Sequence, residues 1–108
     1  MDILSFLRES TGRFGPVGHE QAIAQWLKER FAPLCDEVFI DAMSNVIAVQ
    51  KPTAPSAGKP PVVMLCAHMD EIALMVTAIL EDGSLRIRQV GGVDPAILPA
   101  STVTVHTD

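Results

Sequence analysis

The sequence predicts an α/β fold over residues 1–71, followed by an all-β segment over residues 72–108. Two amphipathic helical patterns lead into the apolar run Pro61-Val62-Val63-Met64-Leu65-Cys66-Ala67. Its composition and the leading Pro60 suit a strand buried on both faces of a sheet. Beyond Glu71 the texture shifts to short alternating stretches broken by Asp-Gly and Gly-Gly, the signature of short antiparallel strands. A domain boundary near residue 71 is expected from that shift.

Each element has a local reason. Residues 2–11 set Ile3, Leu4, Phe6 and Leu7 among polar neighbours, with Gly12 placed as a helix C-cap. Gly15-Pro16-Val17-Gly18 is turn chemistry. A second helix is expected over 19–32, because Ile23, Trp26, Leu27, Arg30, Phe31 and Leu34 recur at three- and four-residue spacing. Glu20 suits the helix dipole and Pro33 stops the helix. Residues 37–41 and 46–50 read as strands joined by Ala42-Met43-Ser44-Asn45.

Residues 51–60, rich in Pro, Ala, Ser and Gly, are expected as a surface loop whose flanking strands share one sheet. Residues 72–80 and 85–90 predict a hairpin around Glu81-Asp82-Gly83-Ser84. Leu85 and Ile87 alternate there with Arg86 and Arg88. After the loop chemistry of Gly91-Gly92 and 95–99, residues 102–108 alternate like a further strand. That strand stops without a turn or cap, which carries the expectation that the chain is cut from something longer.

Composition narrows the function. Of 108 residues, 48% are hydrophobic and 19% charged, a balance that suits a packed core rather than a disordered tail. The net charge of −5 gives no electrostatic reason to expect nucleic acid or an anionic membrane as partner. No apolar run reaches the length of a membrane span, and Met1-Asp2-Ile3-Leu4 lacks the basic start of a secretion signal. Cys35 and Cys66 do not make a disulfide framework. Cys66, inside the apolar run, reads as an inert core thiol, and a reducing cytoplasm is the expected setting.

The candidate site follows the apolar run, at His68-Met69-Asp70-Glu71. Residues two apart on an extended chain point the same way. One ring nitrogen of His68 could then hold a metal while Asp70 accepts the hydrogen bond of the other. Glu71, pointing the opposite way, is expected in a supporting or structural role. His19 followed by Glu20 lacks the second His of a zincin, since position 23 is Ile. His19 and His106 are read as exposed or hydrogen-bonded. No Gly-x-Ser-x-Gly elbow or phosphate loop occurs.

These blocks resemble a known family. Ala67-His68-Met69-Asp70-Glu71-Ile72-Ala73-Leu74-Met75-Val76, Gly91-Gly92-Val93-Asp94-Pro95 with Leu98-Pro99, and Val103-Thr104-Val105-His106-Thr107 resemble the dinuclear metallo-aminopeptidases of the glutamyl and deblocking (tetrahedral) type. Some members of that family were named cellulase-M-like endoglucanases. The resemblance also takes in Gly15-Pro16-Val17-Gly18-His19-Glu20 and residues 41–45, and Ala73 departs from it where many relatives carry glycine.

The resemblance implies that residues 1–71 are part of a zinc-exopeptidase-type α/β/α sheet domain. It implies that 72–108 begin an inserted β-barrel that drives homo-oligomerisation. It implies His68 as ligand to one of two divalent metal ions, zinc or cobalt, and Asp70 as the site's catalytic carboxylate that orients it. Peptides are the implied substrates. The bridging carboxylate, general-base glutamate and remaining ligands of the family lie beyond residue 108, so the chain alone is expected to be inactive and to bind metal weakly at best. Two rivals stand beside this reading: a non-catalytic β-pairing interaction module, and an endoglucanase-type hydrolase suggested by the cellulase naming alone.

Overall fold

The computed structural model describes residues 2–54 and 58–107; residues 55–57, in the expected 51–60 loop, and Met1 and Asp108 lie outside the described residues. The chain is mixed α/β and divides into two compact units, Met1–Glu71 and Ile72–Asp108.

The first unit is organised by two helices and a hairpin. Helix α1, Ile3–Thr11, starts where the Asp2 carboxylate accepts from the Leu4 and Ser5 amides, both at 3.0 Å. It ends at Gly12, whose amide donates to the Arg8 carbonyl. Helix α2, Gln21–Phe31, supplies the buried core residues Ile23, Ala24 and Trp26. Strands β1, Glu37–Ile40, and β2, Val46–Val49, pair antiparallel from Glu37↔Val49 to Ile40↔Val46. Helix α2 packs on both strands.

Trp26 is the hub of the packing. Its side chain is 6% exposed, and its ring centroid lies 5.2 Å from that of Phe6. The guanidinium groups of Arg13 and Arg30 sit 4.8 Å and 5.3 Å from the indole centroid, within cation–π range. Arg30 also pairs with Glu9 at 2.7 Å, tying the two helices on an exposed surface. The indole N–H finds no acceptor among the described residues.

The β1–β2 turn is built by one carboxylate. Asp41 accepts from the backbone amides of Met43 and Asn45 and from the Asn45 side-chain amide, each at 2.9 Å. Ser44 takes the left-handed φ of 65°, a position few non-glycine residues adopt. The hydrogen bonds hold the Asp41 carboxyl below its usual range, the Asn45 side chain contributing most.

The second unit is a hairpin followed by a short turn. Strands β3, Ala73–Ile79, and β4, Leu85–Val90, pair antiparallel, with a bulge between Val76 and Ala78. The bulged Thr77 donates its hydroxyl to the Arg86 carbonyl at 3.1 Å. At the turn, Asp82 accepts from the amide and hydroxyl of Ser84, and Gly83 takes φ 81°. Residues Pro95–Ile97 form one 3₁₀ turn, started by the Asp94 carboxylate.

Three sequence expectations fail, for one physical reason. Residues 61–67 are extended but unpaired, with Val62 88% and Leu65 93% exposed, rather than a strand buried on both faces. Strand β2 pairs only with β1, so the flanks of the 51–60 loop do not share a sheet. Residues 101–107 form no strand. An apolar, β-branched segment becomes a buried strand only when a neighbour takes its amides and carbonyls and a layer covers its side chains. Among the described residues neither segment has such a neighbour. Cys66 is consequently exposed, not a core thiol.

Two stability effects follow. Trp26→Ala should cost about 3–5 kcal/mol in a denaturant titration of this chain, whereas Trp26→Phe, which keeps the ring packing and removes the unpartnered N–H, should cost clearly less. Asp41 has a folded pKa below its unfolded value, so its contribution is complete above about pH 4 and is lost as pH falls through the folded value. Asp41→Asn keeps an acceptor but cannot titrate, and the acid dependence of Asn45 amide protection should therefore vanish in hydrogen exchange.

Candidate metal centre

The site grows out of the unpaired run. Pro60 and Pro61 restrict φ and bias the chain toward extended backbone, and residues 61–70 continue without helix or turn. On such a backbone side chains alternate. His68 and Asp70 converge on one side, with His68 Nδ1 3.2 Å from Asp70 Oδ1 and 3.1 Å from the Asp70 carbonyl oxygen. Both neighbours of Nδ1 are acceptors, which assigns the ring proton of a neutral His68 to Nδ1. The Nε2 lone pair is then the one directed away from Asp70. The His68 side chain is 85% exposed and that of Asp70 40%, so the pair faces solvent.

Glu71 turns the other way. Its carboxylate accepts from the buried Gly15 amide at 3.0 Å, and its own amide donates to the Gly15 carbonyl at 3.1 Å. A parallel bridge joins Pro16 to Glu71. The turn it grips is tightly built: a Cβ on Gly15 would come within 2.9 Å of Ile23 Cγ2, and Gly18 takes φ 86°. Gly15 and Pro16 are buried. The Gly18 amide donates to the Glu20 carboxylate at 2.9 Å, just before α2 begins.

The other candidates stand apart in role. His19 is exposed, with its ring centroid 6.1 Å from that of Phe14. His106 is exposed in the strandless stretch 101–107. Among the described residues no group of three or more His, Cys, Asp or Glu side chains converges to hold a metal ion. The residues present fit one ligand position: an imidazole with its tautomer set by neighbouring acceptors. They do not make the ligand set of a closed or catalytic site. The Glu71–Gly15 contact was not readable from spacing, since it spans 56 residues.

The extended apolar run thus ends in an imidazole with a carboxylate beside it. A sequence model of the M42 glutamyl aminopeptidase family matches residues 44–108, more than half of the chain, and the chain belongs to that family. A lysyl aminopeptidase of Pyrococcus furiosus is 38% identical over 109 residues, covering 99% of this chain and 29% of that protein. A glutamyl aminopeptidase of Lactococcus lactis is 29% identical over 90 residues, covering 83% of this chain and 24% of that one. Among solved structures, an endoglucanase from Thermotoga maritima is similar with a TM-score of 0.72 and 34% identity, covering 85% of this chain and 28% of that chain. The chain thus spans less than a third of the length of these relatives.

Proposed function

We propose that this chain is the amino-terminal part of a metal-dependent aminopeptidase that removes amino-terminal residues from peptides. The observation that carries the reading is the His68–Asp70 pair, at 3.2 Å, in a chain of the M42 family. Residues 1–71 would be the partial α/β metallopeptidase domain, and 72–108 the start of a β-barrel through which copies assemble into a homo-oligomer. His68 would offer Nε2 to one of two divalent ions, zinc or cobalt. Asp70 would hold the ring in the ligating tautomer and keep it aimed. When bound, such ions polarise the scissile carbonyl and activate water.

The setting is consistent with a cytoplasmic enzyme. Cys35 and Cys66 are free thiols, and no helix among the described residues is long and apolar enough to cross a membrane. The Asp70 carboxylate is engaged with His68 and that of Glu71 with Gly15. Glycoside hydrolysis would need two carboxylates flanking a sugar, and these two are turned to other partners. A second reading is a non-catalytic module whose β-rich second half pairs edge to edge with a partner, and the exposed, unpaired run Val62–Leu65 adds a further extended segment open to such pairing.

Two experiments test these readings. Supplied with zinc or cobalt, the 108-residue chain should show no turnover of amino-acid anilides, since one ligand cannot build the site; metal-dependent hydrolysis would overturn that expectation. In a longer protein carrying this chain, His68→Ala should abolish peptide hydrolysis, and Asp70→Asn should lower metal affinity or rate about 10–100-fold. Full activity in both variants would remove the pair from the site, whereas a longer protein that hydrolyses no peptide in its unaltered form would favour the pairing module.

A further inference from the structure

We propose that Glu71 is a positioning residue for the His68–Asp70 pair, a role that rests on the reading of that pair as the metal-facing edge of the site. Residues 61–67 have no sheet partner among the described residues to hold them. The segment is anchored by hydrogen bonds at its far end. Glu71 fixes it with two bonds to one residue. Its carboxylate takes the Gly15 amide at 3.0 Å, and its amide gives to the Gly15 carbonyl at 3.1 Å.

The grip is on rigid material. Gly15 is buried with no room for a Cβ against Ile23, a core residue of α2. A buried amide without an acceptor is costly, so the turn has its own reason to keep the Glu71 carboxylate in place. Because neighbours on an extended chain face opposite ways, bonding Glu71 to Gly15 obliges Asp70 and His68 to face together away from that contact. The Glu71 side chain sits on the opposite side of the backbone from the ring it positions, and acts through the chain rather than by touching the imidazole.

The inference is tested on the 108-residue chain by NMR. The readouts are Gly15 amide exchange and the ¹⁵N shifts of the His68 ring, which report its tautomer. Glu71→Met keeps length without an acceptor, and Glu71→Gln restores the acceptor without the charge. Glu71→Met should speed Gly15 exchange about tenfold, the equivalent of one net hydrogen bond, and shift His68 from the Nδ1–H form toward a mixture. Glu71→Gln should return both readouts to their original values. Since α2 amide shifts report folding independently, a changed tautomer with intact α2 cannot be ascribed to unfolding.

Faster Gly15 exchange with an unaltered His68 tautomer would overturn the proposal and leave Glu71 a purely structural clamp. So would a Gly15 amide that is unprotected in the unaltered chain. Zinc binding by a longer protein carrying this chain separates this result from the underlying reading. If the tautomer follows Glu71 but His68→Ala leaves the zinc affinity of that longer protein unchanged, the positioning role stands and the metal assignment of His68 falls.

Discussion

A buried glycine amide needs an acceptor, and the arrangement of the first unit follows from which group supplies it. Gly15 lies against Ile23 with space for a hydrogen atom and nothing larger. The residue is buried, and leaving its amide unpaired would cost on the order of 1–3 kcal/mol. The Glu71 carboxylate meets that demand from 56 residues away, and the backbone bond beside it makes the contact a two-point attachment. The stretch after the apolar run is thereby docked on the turn that precedes α2. The direction of His68 and Asp70 is set by that docking.

What could be read from the sequence was whatever local chemistry decides. The start of α1, its stop at Gly12 and both hairpin turns need only residues within four positions of one another. Asp2 meets Leu4 and Ser5, Asp41 meets Met43 and Asn45, and Asp82 meets Ser84. Such contacts are encoded where they occur. The M42 relationship was legible too, because the His-Met-Asp-Glu block and the Gly-Gly-Val-Asp-Pro block keep their order along the chain.

The runs 61–67 and 102–107 misled for the opposite reason. Val62, Val63, Met64 and Leu65 have the composition of a central strand, and composition records what a segment can do when neighbours flank it. It does not record whether they do. With no ladder on either side among the described residues, the same side chains stand 80–93% exposed. Cys66 was misjudged along with them. Strand propensity is a statement about context, whereas a helix such as α1 closes its own hydrogen bonds and is less dependent on what surrounds it.

At the site the period-two argument succeeded without the strand it assumed. Alternation belongs to the extended backbone itself, so His68 and Asp70 meet at 3.2 Å although no sheet includes them. This separates two contributions that are easily merged. Affinity for a cation comes from the number of donors that converge, and this chain brings together a single imidazole. Orientation comes from the acceptors around Nδ1 and from the docking of Glu71. An imidazole held in its ligating tautomer has less freedom to lose on binding. On the proposed reading of His68 as a ligand, these residues would contribute pre-set geometry, to which donors from elsewhere would add the strength.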